Sequence, residues 1–206
     1  MVWGASGHAR CVLDIVRQYP EYSVVGLIDD FAVANIEFVG HKILGTRDDL
    51  RHLHGTGFRH MAIAVGDCSA RLEIGELARS AGFNLETFVH PRAVIAQDVS
   101  LGDGTVVMAG AAVNPGSRVG ELCIVNTAAS VDHECTLEDG VHVGPGAHLG
   151  GCVVVGRGTW LGIGAILKDH IRIGAKTIVG AGAVVLHDLP SQIVAYGVPA
   201  RVVRAT

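Results

Sequence analysis

Between residues 95 and 185 every sixth position is Val, Leu or Ile. The series runs Ile95, Leu101, Val107, Val113, Val119, Val125, Val131, Leu137, Val143, Leu149, Val155, Leu161, Leu167, Ile173, Val179 and Val185, sixteen hits without an insertion. Two residues ahead of each hit stands a small or β-branched residue, among them Ala93, Val99, Thr105, Ala111, Ser117, Cys123, Ala129, Cys135 and Ala183. One residue after it, glycine dominates the later turns: Gly144, Gly150, Gly156, Gly162, Gly174 and Gly180. A period of six fits neither the 3.6-residue helix nor the alternation of an ordinary strand. It fits a parallel β-helix in which each hexapeptide is one short strand and one turn. Three hexapeptides close one triangular coil, so residue i+18 stacks on residue i. The aliphatic residue points inward, the small residue fills the space near the corner, and the following glycine is expected to supply the corner's backbone freedom. Residues 93–188 make about five coils, a rod about 25 Å tall at a strand spacing of roughly 4.8 Å. Such an aliphatic interior accounts for an aromatic content of only 5%.

Before residue 93 the repeat loses its sense, and short apolar runs alternate with amphipathic segments. Helices are expected near 9–19 and 69–81, with a short one begun at Thr46. Strands are expected at 2–3, 23–28, 61–65 and 85–89. That order predicts a small α/β, Rossmann-like unit over residues 1–90, followed by an all-β helix with a C-terminal tail over 91–206. Ligands of such sheets bind beyond the carboxyl ends of the strands. Three turns fall there: Gly4-Ala5-Ser6-Gly7-His8, Asp29-Asp30 and Gly66-Asp67. The first is a glycine-rich strand-to-helix turn of the kind that cradles phosphate on exposed amides. The carboxylate pair follows where a ribose hydroxyl or base edge is held in dinucleotide folds. The turn is G-x-x-G-H rather than G-x-G-x-x-G. Read alone, it is equally a glycine turn with Ser6 capping the next helix and two surface carboxylates.

Within the repeat, polar residues concentrate between 126 and 151. His133 follows the inward Val131 by two, so it sits at a turn and projects outward. Glu134 stands beside it and can bond one ring nitrogen, leaving the other to take a proton. Gly151 is 18 residues on and stacks above His133, its amide open toward a substrate carbonyl. His142 is half a coil away, on the far side of the prism, and Asn126 lies near it. One prism therefore keeps His133 and His142 apart. Around a threefold axis, His133 of one subunit can meet Asn126 and His142 of the next.

The bulk properties exclude several classes of partner. Net charge is −4 with no basic run, which argues against nucleic acid. No apolar stretch is long enough to span a membrane, and no basic-then-apolar leader opens the chain, so a cytoplasmic protein is expected. The five cysteines have no paired spacing. Cys123 and Cys135 occupy small-residue slots of the repeat, as packed, reduced thiols would.

The repeat resembles the hexapeptide-repeat acyltransferases, whose prisms wind as left-handed β-helices and assemble as homotrimers. The whole chain resembles the sugar acetyltransferases of PglD and NeuD type, which include UDP-amino-sugar N-acetyltransferases and sialic acid O-acetyltransferases. The resemblance is carried by Gly4-Ala5-Ser6-Gly7-His8, Leu27-Ile28-Asp29-Asp30, Ala64-Val65-Gly66-Asp67, Asn126-Thr127, His133-Glu134-Cys135 and Gly197-Val198-Pro199-Ala200. It implies His133 as general base and Glu134 as the residue that tunes it. It implies Asn126, His142, Gly151 and Ile163 as acetyl-CoA contacts, with Gly151 the oxyanion amide. Ser6, Gly7, His8, Asp29, Asp30 and Gly66 match the nucleotide-sugar pocket. Asp67 departs from the amino-sugar enzymes, where Asn is expected. The expectation is acetyl transfer from acetyl-CoA to the 4-amine of a UDP-linked sugar without a metal, with a sugar hydroxyl as the alternative acceptor. Two rivals share the fold: a γ-type carbonic anhydrase, which needs three converging histidines, and a non-catalytic nucleotide-sugar-binding protein.

Overall fold

In the computed structural model, which describes residues 1–32 and 36–206, the first unit is built on one twisted sheet. Its strands are β1 (Val2–Trp3), β2 (Leu27–Ile28), β3 (Glu37–Phe38), β4 (His41–Gly45), β5 (His60–Ile63) and β6 (Asn84–Leu85), in the order β3-β4-β2-β1-β5-β6. All neighbours are parallel except β3 and β4. Helix α1 (Gly7–Val16) buries Val12, Leu13, Ile15 and Val16 on one face of this sheet. Thr46 caps a 3₁₀ turn at Arg47–Asp49 through a reciprocal capping box, and α2 (Leu50–Gly55) follows. Helix α3 (Cys68–Ser80) packs with Trp3, Ile28, Met61 and Ile63 on the other face. The strand expected over 85–89 is two strands: β6 closes the α/β sheet, whereas β7 (Phe88–Val89) pairs with Val106–Val107 and starts the prism. The join thus falls a few residues ahead of position 90.

From β7 to β23 (Val184–Val185), seventeen two-residue strands follow at six-residue intervals. They stack as a left-handed parallel β-helix with three faces. Pairs such as Val125↔Val143 and Val131↔Leu149 show the 18-residue register. The predicted inward residues form one continuous core, and Cys123 and Cys135 are fully buried within it. The first face carries the strands at 88, 106, 124, 142, 160 and 178. The second carries those at 94, 112, 130, 148, 166 and 184, and the third those at 100, 118, 136, 154 and 172. A hairpin of β24 (Ile193–Gly197) and β25 (Ala200–Ala205) extends the first face and ends the stack.

The corner glycines act differently from the expectation. Those one residue after each inward position are not left-handed. A Cβ on Gly144 would lie 2.5 Å from the Leu161 carbonyl oxygen, and one on Gly156 2.5 Å from the Ala175 nitrogen. They are glycine because the next coil passes too close. The left-handed residue stands two positions further on, at Gly104, Gly110, Gly116, Gly140, Gly146, Gly158, Gly164 and Gly182. Leu122, Ala128, Glu134, Cys152, His170 and Lys176 occupy the same slot with φ between 53° and 59°. A side chain in that conformation costs about 1–2 kcal/mol. Along the corner between the second and third faces, the slot reads Gly116, Glu134, Cys152, His170. Outliers of this kind cluster where side chains have work to do.

The α/β unit docks on the first face and its corner with the third. Gly75 of α3 leaves room for the Leu122 side chain, and Leu72 lies over Gly140. Between them runs Arg71, fully buried and, among the described residues, without a carboxylate partner. Its Nε donates to the Leu122 carbonyl at 2.7 Å and Nη2 to that of Gly140 at 2.8 Å. Its Nη1 donates to Val65 at 3.0 Å and Gly66 at 2.8 Å. One guanidinium thus ties two successive coils to the turn after β5.

Candidate active site

The three turns of the α/β unit meet at the carboxyl edge of its sheet, facing the prism. Gly4 has φ +122°, and a Cβ there would sit 2.6 Å from the Ala64 carbonyl oxygen, so the first turn requires glycine. The Ala5 N–H donates to Asp29 Oδ2 at 2.7 Å, and Asp29 Oδ1 accepts from Phe31 and Ala32. Asp29 therefore shapes the loops. Asp30 is engaged by Arg47, which donates from its main chain at 2.8 Å and from Nε at 2.9 Å. Ser6 stands at the N-cap of α1 without a side-chain capping bond, leaving its hydroxyl available at the start of the helix, next to Gly7. Asp67 caps α3 by accepting from Ala70 at 2.8 Å, a role that Asn fills equally well.

His8 and His142 meet across the join, their ring centroids 6.5 Å apart. His142 Nδ1 lies 3.2 Å from the Gly66 carbonyl oxygen, which can only accept, so Nδ1 carries the proton. Nε2 then accepts from Asn126 Nδ2 at 3.1 Å. The amide orientation agrees, because Asn126 Oδ1 accepts the Thr127 N–H at 2.8 Å. Burial, with the positive charge of Arg71 adding to it, lowers the pKa of both His8 and His142 to about 4. Both rings are neutral at pH 7. Among the described residues the buried His8 Nε2 has no hydrogen-bond partner, as a group reserved for a ligand would have none.

The other cluster lies at the opposite corner, between the second and third faces. His133 Nδ1 is 3.1 Å from Glu134 Oε2, so the carboxylate accepts the Nδ1 proton of the neutral ring and leaves Nε2 free to take one. Both side chains are exposed. The His133 N–H donates to Asp132, whose carboxyl is held below its usual range by the Asn114 amide and by that same N–H. Gly151 stacks on the ring as the register requires: a Cβ there would lie 2.6 Å from His133 Nε2. Among the described residues the Gly151 N–H has no partner. Across the second face, the corner with the first carries Asn126 and, two coils above Thr127, the exposed Ile163. The second face thus has His133 and Gly151 on one border and Asn126 and Ile163 on the other. Among the described residues, the one close group of three metal-ligating side chains is His133, Glu134 and Cys152. Three converging histidines, which a γ-type carbonic anhydrase needs, are not found there.

A cavity of about 480 Å³ opens along the join, lined by Gly66, Asp67, Cys68 and Ser69 of the α/β unit and by His142, Trp160 and Lys176 of the prism. It combines the amino terminus of the 13-residue α3, a lysine and an indole face, a set suited to an anionic ligand with a planar ring. Sequence reasoning missed Trp160, Lys176 and Arg71. The first two break the repeat in ways that could have been noticed: a large aromatic in an outward slot, and a lysine where glycine holds the left-handed corner.

The first 77 residues match the family model described as PglD N-terminal domain. Over 197 residues the chain is 27% identical to GDP-perosamine N-acetyltransferase of Escherichia coli O157:H7, covering 93% of this chain and 79% of that protein. It superposes on PerB from Caulobacter crescentus, solved in complex with CoA and GDP-perosamine, with a TM-score of 0.93 and 40% identity, covering 98% of this chain and 95% of that one. It also matches the acetyltransferase domain of PglB from Neisseria gonorrhoeae in complex with acetyl coenzyme A, with a TM-score of 0.91 and 36% identity, covering 98% and 97%.

Proposed function

The chain belongs to the PglD/NeuD-type family of sugar acetyltransferases, and from that premise we propose that it moves the acetyl group of acetyl-CoA to the amine of a nucleotide-linked amino-sugar. The observation that carries this reading is the likeness, over 98% of the chain, to an enzyme crystallised with both CoA and GDP-perosamine. The sequence resemblance by itself implies a UDP-linked sugar. GDP-perosamine N-acetyltransferase is named for a GDP-sugar and PerB was solved with one bound, so GDP-linked acceptors are tested first, beside UDP-linked ones.

In this reading the nucleotide-sugar lies along the join, its phosphates at the amino termini of α1 and α3 and its sugar near the unpartnered His8 Nε2. Acetyl-CoA lies along the second face, between two subunits of a homotrimer in the cytoplasm. The outward residue of each two-residue strand on that face, Val94, Ala112, Ser130, His148, Ile166 and Val184, is never an acid, lysine or arginine, which supports burial of the middle of the face against a neighbour. Its two borders then bring His133 of one subunit to Asn126 and His142 of the next. The substrate nitrogen attacks the thioester carbonyl as His133 Nε2 takes its proton. The oxyanion is stabilised by the Gly151 N–H. Collapse breaks the C–S bond, and the imidazolium returns the proton to the leaving thiolate. Glu134 holds the ring and its tautomer throughout. His142, with both ring nitrogens bonded inside its own chain, shapes the acceptor pocket rather than moving protons.

The test is thiol release from acetyl-CoA with a panel of GDP- and UDP-amino-sugars and sialic acids. An amino-sugar nucleotide turned over by the wild type, and about 10²–10⁴-fold more slowly by His133→Ala, supports the assignment. Near-normal turnover by that variant overturns it.

A further inference from the structure

The left-handed corner column that carries Glu134 carries Cys152 directly above it, with φ 57° and 59° in successive coils. The two side chains leave the backbone in the same direction, and Cys152 Sγ comes to 3.7 Å from Glu134 Oε2. His133 Nδ1 stands 3.1 Å from that same oxygen. The three ligand atoms all lie within 4.8 Å of one another. A tetrahedral zinc ion, with bonds of about 2.0–2.3 Å to nitrogen, oxygen and sulfur, spaces its ligands about 3.3–3.6 Å apart. The two measured separations bracket that range. Nitrogen, carboxylate and thiolate together are a donor set for a borderline-soft divalent ion rather than for magnesium or calcium. The backbone conformation adds a second argument. Other left-handed corners of the prism are glycine in most coils, and Gly116 occupies this column one coil below. Here the next three corners, Glu134, Cys152 and His170, instead hold side chains able to ligate a metal, at a conformational cost, and the lower two stand beside His133.

We propose that His133, Glu134 and Cys152 form an inhibitory binding site for zinc or a similar thiophilic divalent cation, completed by a water. The ion displaces the Cys152 thiol proton to solvent and takes the lone pair of His133 Nδ1. The proton that Nδ1 gave to Glu134 is lost to solvent and Nε2 takes one up, so the metal-bound neutral imidazole carries its single proton on Nε2. The nitrogen that must accept the substrate proton then has no lone pair to offer. Glu134, drawn to the metal, no longer orients the ring. Acetyl transfer stops without a change in the acceptor pocket, and a chelator restores it. The inhibition rests on His133 being the base; the binding does not.

Two measurements on the full chain in thiol-free buffer separate these claims. Cobalt is titrated as a spectroscopic substitute for zinc. Thiolate ligation gives a near-ultraviolet charge-transfer band, and intense visible bands mark tetrahedral geometry. The wild type is expected to develop both at one ion per chain, and Cys152→Ser to lose the near-ultraviolet band. Zinc is then titrated into the acetyl-transfer assay. Cys152→Ser is expected to keep its metal-free turnover while the half-inhibiting zinc concentration rises about tenfold or more. Absence of the cobalt–thiolate band in the wild type, or its persistence in Cys152→Ser, overturns the site. Equal zinc sensitivity of wild type and Cys152→Ser overturns the inhibitory role. A cobalt site with full activity retained refutes His133 as the base and leaves the metal site standing.

Discussion

Replacing Arg71 with methionine keeps much of the side-chain volume and removes all the bonds that this guanidinium makes between the two units. Among the described residues, the carbonyls of Val65, Leu122 and Gly140 have Arg71 as their only hydrogen-bond partner. Each buried carbonyl left alone costs about 1–3 kcal/mol. The Gly66 carbonyl keeps its bond from His142. Some relief comes from removing a buried charge that has no counter-ion, so the expected net loss is about 4 kcal/mol, a large share of the 5–15 kcal/mol typical of folded domains. Urea unfolding followed by circular dichroism reads this as a midpoint lower by about 1.5–2 M. Arg71→Lys is the companion, because one ammonium can reach the prism carbonyls or the turn but not both. It should fall between the two. A second readout is the His142 titration by NMR. Without the nearby positive charge its pKa rises from about 4, yet stays below the ordinary 6.5, because burial is the larger cause. A stability loss under about 1 kcal/mol in Arg71→Met, with an unmoved His142 titration, would refute the clamp.

Three further outcomes follow from the geometry. His8 and His142 bind protons less readily folded than unfolded, so the unfolded state gains protons first as pH falls; stability should decline from about pH 6.5 down to about pH 4, measurable as a falling Tm. Glu134→Gly removes a left-handed side chain, so Tm should hold or rise, by up to about 1 kcal/mol of stability, while kcat drops; a fall in Tm refutes the reading of that corner. Gly151→Ala places a methyl group against the His133 ring, and kcat should fall at least tenfold, about 1.4 kcal/mol, with the circular dichroism spectrum unchanged; wild-type kcat would show that the ring need not sit there.

The prism was legible because its period leaves no competing assignment, and its register carried through to a contact: Gly151 over His133 follows from counting. The role of the first row of glycines was misread, because sequence shows where glycine stands but not whether backbone torsion or a neighbour's proximity demands it. Arg71 was invisible for another reason. An arginine in the first turn of an amphipathic helix reads as solvated, and only the docking of α3 on a corner 51 and 69 residues away buries it. The coupling of His142 to Gly66, 76 residues apart, was hidden in the same way. Periodicity describes each unit by itself and says nothing of the surface on which one settles against the other. Asp29 shows the converse: its place after a strand was clear, but not that main-chain N–H groups would claim both its oxygens.

The coil repeat also governs how such a chain can change its length. Leu122 and Gly140, the two prism carbonyls gripped by Arg71, are 18 residues apart on one corner. Inserting one residue into a strand would turn every later side chain inside out, and inserting six would rotate every later strand to the next face. Only whole turns of 18, or loops thrown outward from a corner, leave the helix clamp, the histidine corner and the closing hairpin in phase. The prism behaves as a screw thread. Descendants of this chain can grow or shorten by complete turns, and a gap of any other size within residues 88–185 of a related sequence marks either an outward loop or a lost site.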